Sequence, residues 1–295
     1  MGKDLADNFA EARAVFEEVD DALGFSISRL CFEGSPEDLQ LTENTQPAIL
    51  AVSIAAARAM SSKGIPAPSF VAGHSLGEYS ALVVAGALSL SDAVRTVRAR
   101  GQYMQEAVPV GTGAMAAVLG AELSTIEQAC REASKGQVCA PANMNSPMQV
   151  VIAGNSEAVE RAMELLKTAG AKRVIRLNVS APFHCALMKP AQDRLAFDLE
   201  RVSVSEARVP VVTNVDAELR THAGDLRDAL VRQVSAPVRW LESVELLLRT
   251  GVGSFVEVGP GRVLSGLLRQ IDRDVVGLNV EHAASLEAAR SQFAA

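Results

Sequence analysis

Apolar and polar positions follow two different periods along the chain. Leu5–Leu23 sets Phe9, Val15, Phe16 and Val19 among acidic residues, which predicts an amphipathic helix. Thr45–Met60, rich in Ala and Ile, predicts a second one. The Gly64–Pro68 punctuation is followed by a short expected strand at Ser69–Ala72, a tight turn, and a helix beginning near Ser75. Asp92–Ala107 is again helical, with Ser91 as its expected cap.

From Gly113 the pattern changes. Strands are expected at Ala114–Leu119, Val138–Asn143, Gln149–Ala153 and Lys172–Asn178, with helices at Ser124–Ala133 and Ser156–Ala169. That βαββαβ order, over about 65 residues, is a ferredoxin-like signature. It predicts a small subdomain over residues 111–179, inserted into a large α/β catalytic subdomain made of residues 1–110 and 180–295. Downstream, helices are expected at Leu187–Arg201, Asp225–Gln233, Val238–Arg249 and Val263–Ile271, and strands at Val209–Val215 and Phe255–Val258. Strands alternating with helices imply an α/β fold whose core is a mostly parallel sheet covered on both faces.

Composition narrows the classes. The chain has 295 residues, 48% of them hydrophobic, enough to bury a large core. Its formal charge of -7 gives no basic footprint for nucleic acid. Cys31, Cys130, Cys139 and Cys185 show neither CxxC pairing nor zinc spacing, so they read as buried thiols in a reducing compartment. Asp4, Asp7 and Glu11 stand where a signal peptide needs an apolar core. The longest uncharged stretch, Gly136–Ser156, contains two prolines and three asparagines and is no membrane span. A cytoplasmic monomer without metal or cofactor is expected.

Chemistry concentrates at Gly73-His74-Ser75-Leu76-Gly77, a G-x-S-x-G between an apolar strand and an Ala/Leu/Val-rich helix. Gly73 and Gly77 leave room for a sharp reversal that lifts the Ser75 hydroxyl clear as a nucleophile. The backbone N–H of Leu76 then lies at a helix N-terminus, ready to donate to an oxyanion. The hydroxyl needs a base, and there are only 4 histidines. His74 is adjacent but reads as support for the turn, His222 reads as a surface loop, and His282 is near the C-terminus. His184, just after the inserted module, remains as the candidate base, against its alternative as a core or helix-start histidine. Arg100 sits on the flank of the buried stripe Val94, Val97, Gly101 and Met104, while Arg95 and Arg98 point away. A guanidinium there needs a carboxylate. Either a structural salt bridge or the acid group of a dicarboxylic acyl substrate can supply it.

Taken together, Thr45-Gln46-Pro47-Ala48, Gly73–Glu78, Arg100–Gln105, Asn145-Ser146-Pro147, His184-Cys185 and Val258-Gly259-Pro260-Gly261 resemble the malonyl-CoA:acyl carrier protein transacylases of fatty acid synthesis. The resemblance runs over nearly the whole chain. It implies an α/β-hydrolase-like acyltransferase core and a malonyl-serine intermediate on Ser75, with His184 as general base and Arg100 holding the malonyl carboxylate. The resemblance further implies that the backbone carbonyl of Gln233 orients His184, and that Phe183 restricts space for an α-methyl branch. Malonyl-CoA and acyl carrier protein are the implied partners. Coenzyme A and phosphopantetheine thioesters are then substrates rather than cofactors.

The resemblance breaks at the start of the chain. Family members open with an apolar strand and a Gly-Gln-Gly-Ser-Gln-like loop, and this sequence begins just beyond them, either at an internal methionine of a longer protein or as a short chain. With Leu76 N–H as the lone oxyanion donor, the 295-residue product is expected to transfer malonyl groups poorly. Two alternatives remain at this level: a serine thioesterase or hydrolase using the same elbow, and a non-catalytic, truncated remnant that still binds the carrier.

Overall fold

The computed structural model describes residues 1–109 and 111–293. Among the described residues nine strands form three sheets: β1 (Val71–Ala72), β2 (Gly113–Leu119), β3 (Cys139–Ser146), β4 (Gln149–Asn155), β5 (Arg173–Arg176), β6 (Val211–Val212), β7 (Leu219–Arg220), β8 (Ser254–Val258) and β9 (Val276–Val280). The first sheet has the order β1-β6-β7, the second β3-β4-β2-β5, and the third is the pair β8-β9.

The expected mostly parallel core is not what forms. Every pairing in the four-stranded sheet is antiparallel, and so is β6 with β7. Among the described residues parallel pairing is limited to the two-residue ladder β1/β6, to β8/β9 and to an isolated bridge between Asn143 and Val238. The cause is visible in the segment read as one strand, Val209–Val215. Only Val211 and Val212 pair with β1, because the chain turns at once: Thr213 N–H donates to the Glu218 carbonyl, and Ala217 takes φ 53°. The return strand β7 is therefore a hairpin partner rather than the end of a helical crossover.

Helices supply most of the large core. The long helix Thr42–Ser62 buries Leu50, Val52 and Ile54 against Val94, Val97 and Met104 of the helix Leu90–Glu106. The first predicted helix is two, Lys3–Asn8 and Ala10–Leu23. They break where Phe9 adopts an extended backbone while its ring stays buried. The cap of Leu90–Glu106 is Ser89 rather than Ser91, its hydroxyl accepting from Asp92 N–H at 3.0 Å. Helices Ile27–Glu33, Pro36–Gln40 and Ala283–Phe293, and strands β7 and β9, have no counterpart in the sequence reading.

The stretch Gly113–Arg176 runs strand, helix, strand, strand, helix, strand. Its helices Leu123–Ser134 and Ser156–Thr168 cover one sheet face with a cluster of their own, centred on Ile126, Ile152 and Leu166. The first boundary expected from sequence falls at residue 110, outside the described residues. This sheet is joined to the rest of the protein by main chain: Val238 N–H donates to the Ala142 carbonyl at 2.9 Å, and Met144 N–H to the Val238 carbonyl at 2.9 Å. All four cysteines are buried and unpaired by disulfides.

Candidate active site

Strand β1 ends at Ala72, and the chain reverses through Gly73-His74-Ser75-Leu76 into the helix Gly77–Val84. The reversal puts Ser75 at φ 51°, in the left-handed region that non-glycine residues seldom occupy. Gly73 is indispensable to it, since a Cβ there would lie 2.0 Å from the Gly77 carbonyl. Gly77 differs from the sequence reading: a Cβ at that position meets nothing. Only one of the two glycines makes room for the turn.

The Ser75 hydroxyl is 2.7 Å from His184 Nε2. His184 is buried, and its Nδ1 is 2.9 Å from the Gln233 carbonyl. A carbonyl can only accept, so Nδ1 carries the proton and Nε2 is left to take one from the hydroxyl. Burial, followed by the positive charge of Arg100, pushes the imidazole down to about 3, so the ring is neutral at ordinary pH and its Nε2 is free to accept. His184 itself has φ 58°, a second strained backbone at this centre.

Arg100 is not on the flank of its helix but wholly inside, 2% exposed. Its Nη1 donates to Gln46 Oε1 at 2.6 Å, and its Nη2 donates to Ser75 Oγ and Gln233 Oε1, each at 3.0 Å. Among the described residues no carboxylate lies within salt-bridge distance of it. A buried guanidinium held by neutral amides keeps most of its charge uncompensated. Here it points at the Ser75 hydroxyl.

Leu76 N–H sits at the start of the elbow helix and, among the described residues, has no hydrogen-bond acceptor. Phe183 is half-buried next to His184 and packs against the large core and the cluster around Met115 and Ala142. The other histidines do separate work. His74 Nε2 pairs with Asn145 Oδ1 at 2.8 Å and its ring tilts against Trp240. His222 and His282 accept backbone N–H groups at helix starts.

Four residues at this centre were not given roles by sequence reasoning: Gln46, Glu78, Asn145 and Asn214. Three lie in segments quoted for the resemblance, where motif matching marks a place without saying what each side chain does. Asn214 had a readable signal. It follows β6, the parallel neighbour of β1, and so emerges beside the elbow at the carboxyl ends of the strands. Its Oδ1 accepts Ser75 N–H at 2.6 Å and its Nδ2 donates to the Gly73 carbonyl at 2.7 Å.

Glu78 is 1% exposed. Its Oε2 accepts from Asn214 N–H at 3.0 Å and from Gln233 Nε2 at 2.7 Å. Burial outweighs these bonds and the pull of Arg100, raising the carboxyl to about 7. Among the described residues no group of His, Cys, Asp and Glu could hold a metal ion, and no helix is long and apolar enough to cross a membrane.

An elbow serine, a neutral histidine and a buried arginine converge on one oxygen, an arrangement that fits a serine acyltransferase. Comparison with known proteins agrees: the family model for the acyl transferase domain matches residues 1–288. The malonyl CoA-acyl carrier protein transacylase of Salmonella typhimurium is 49% identical over 99% of this chain and 94% of its own length. The crystal structure of an acyl carrier protein S-malonyltransferase from Vibrio cholerae superposes with a TM-score of 0.96 at 48% identity, covering 98% of this chain and 94% of that one. A malonyl-transacylase solved with its type II polyketide acyl-carrier protein superposes at 0.97 with 49% identity, covering 99% and 94%. The chain belongs to the malonyl-CoA:acyl carrier protein transacylase family.

Proposed function

We infer that the protein transfers a malonyl group from coenzyme A to the phosphopantetheine thiol of acyl carrier protein, supplying fatty acid synthesis, and that Ser75 carries the malonyl group between the two. The observation that carries this reading is the Ser75 hydroxyl, bonded at once to His184 Nε2 at 2.7 Å and to Arg100 Nη2 at 3.0 Å. Base and carboxylate receptor meet at one nucleophile.

In the first half-reaction the Ser75 oxygen attacks the thioester carbon and its proton passes to His184 Nε2. Leu76 N–H donates to the oxyanion that forms. When the carbon–sulfur bond breaks, His184 returns the proton to the departing coenzyme A sulfur. In the second half-reaction the carrier thiol gives its proton to His184 and attacks the acyl-serine, and the proton goes back to the Ser75 oxygen. The Gln233 carbonyl keeps the imidazole in the tautomer that this shuttle requires.

Arg100 selects an acyl group that ends in a carboxylate. Bidentate recognition suits a guanidinium, and a buried one without a counter-ion gains most from meeting one. Phe183, beside His184, limits room for a branch at the malonyl α-carbon. Residues 111–179 form the small subdomain and residues 1–110 with 180–295 the large catalytic one, in a monomer that resides in the cytoplasm.

Intact-protein mass measured after mixing with malonyl-CoA tests the reading. A malonyl adduct on Ser75 that discharges to holo carrier protein supports it. Rapid loss to water in the carrier's absence would mark a hydrolase, and no adduct a carrier-binding remnant.

A further inference from the structure

Glu78 has no part in the proposed proton shuttle, yet it touches Asn214 and Gln233, the residues that hold Ser75 and His184. One oxygen, Oε2, takes the Asn214 N–H and the Gln233 Nε2. Asn214 in turn holds Ser75 N–H. Gln233 Nε2 also donates to the Ser75 carbonyl at 3.0 Å. With both hydrogens of its amide nitrogen committed on that side, Gln233 must turn its Oε1 toward Arg100 Nη2. The same Gln233 supplies the carbonyl that orients His184. Nucleophile, base and guanidinium are thus tied together through one buried carboxyl group.

The charges at this centre form an unusual set. Arg100 has no carboxylate in contact, and the nearest buried acid is Glu78, one amide away through Gln233. Tyr79 on the same helix is buried and stays protonated, its hydroxyl pushed far above the ordinary phenol range. Asp216, in the turn after β6, is held ionised by a two-bond pair with Arg232 at 2.8 Å and repels a charge on Glu78. His184 is neutral and contributes none. In the free protein the acid charge nearest Arg100 is therefore whatever Glu78 carries, one amide away. A substrate carboxylate placed on Arg100 would bring a second negative charge into the same dry pocket, where two acids cannot both stay ionised beside one cation.

We propose that Glu78 is the charge-compensating and positioning residue of the site: it takes up a proton from solvent when the acyl group's carboxylate occupies Arg100, and it holds Gln233 aimed at Arg100 in both states. The geometry permits the proton without rearrangement. Among the described residues Oε1 of Glu78 has no partner, so protonation there leaves both bonds to Oε2 intact. The inference rests on the reading of Arg100 as the carboxylate receptor.

By linkage, a dicarboxylic acyl group that draws a proton onto Glu78 must bind more weakly as pH rises past the point where that proton is scarce. A neutral acyl group, which adds no charge, is free of this penalty. The experiment follows acylation of Ser75 by malonyl-pantetheine and acetyl-pantetheine, donors with no phosphate that titrates, from about pH 6 to about pH 8.5 in wild type, Glu78→Gln, Glu78→Ala and Arg100→Ala. In wild type the malonyl KM is expected to rise about tenfold over that range while the acetyl KM stays level. Glu78→Gln reproduces the protonated form, with its oxygen accepting both bonds and its amide nitrogen in the place of Oε1. Its malonyl KM should be level with pH, and its kcat should fall less than that of Glu78→Ala. A wild-type pH rise persisting in Glu78→Gln overturns the inference, as does a loss of kcat in folded Glu78→Gln equal to that of Glu78→Ala. Arg100→Ala separates the two levels. If it leaves the malonyl KM unchanged, the reading of Arg100 falls and the inference falls with it.

Discussion

Asn214 Oδ1 receives the backbone N–H of Ser75 at 2.6 Å, and its amide nitrogen reaches back to the Gly73 carbonyl at 2.7 Å. One side chain thus satisfies two main-chain groups of the strained turn. A backbone held at φ 51° persists only where its surroundings over-determine it, and these two bonds are part of that constraint. Asn214→Ala leaves a buried donor and a buried acceptor without partners, at a cost of about 2–4 kcal/mol. The expected outcome is a lower thermal midpoint together with a fall in kcat larger than any change in KM. Thermal unfolding and steady-state transfer measured side by side would show it; a normal midpoint would rule out this role.

The two elbow glycines should respond in opposite ways. Gly73→Ala forces a methyl into the Gly77 carbonyl and the Glu78 nitrogen, at 2.0 and 2.6 Å, so the turn must open. Loss of acylation and destabilisation of several kcal/mol are expected. Gly77→Ala adds a methyl to open space and should unfold within about 1 kcal/mol of the natural protein. Denaturant midpoints of the pair decide the matter.

Arg100→Lys keeps the charge and loses the fork. A single ammonium cannot reach Gln46, Gln233 and Ser75 together as the guanidinium does. The ratio of malonyl to acetyl acylation, taken as kcat/KM, should fall by about 10- to 100-fold, the value of one charge-assisted hydrogen bond. An unchanged ratio would mean that charge alone selects the substrate.

His184 sets the sign of two pH effects. Its folded pKa is depressed to about 3 from an ordinary 6.5, so the neutral ring is favoured by folding. Between those values the unfolded chain binds the proton and the folded one does not. The stabilisation is therefore complete above about 6.5 and is lost progressively as pH falls toward 3. With His184 as the proposed base, the acid limb of kcat/KM in the free enzyme is expected well below the ordinary histidine range. Glu78 acts in the opposite sense: its raised pKa contributes stability below 4.5 that disappears as pH climbs to about 7. Comparing the pH dependence of the thermal midpoint in wild type and His184→Ala isolates the histidine share. The variant should lose less stability on acidification; parallel curves would contradict the assignment.

What the sequence made legible follows the range over which each feature is encoded. Val263–Ile271 and Gly113–Leu119 carry their period within a few residues and were read to within a residue or so. The sharp turn at Ser75 is written in a local motif. Sheet direction was misread because it depends on the turn at Thr213–Glu218, which a run of valines conceals. Arg100 was placed on a flank because a helical stripe records only what its own helix buries. Gln46 and Gln233, which enclose the guanidinium, come from elements 54 and 133 residues away. Glu78 and Asn214 escaped for the same reason, since their meaning lies in partners brought together by folding.

His74, though adjacent to the nucleophile, spends its ring on Asn145 of β3, and main-chain bonds join Ala142 and Met144 of that strand to Val238. The turn that bears Ser75 is thereby tied to the neighbouring sheet. Prying the two apart would break the His74–Asn145 bond, one residue from Ser75. The position of the Ser75 hydroxyl is in this way coupled to the placement of a sheet to which Ser75 does not itself belong.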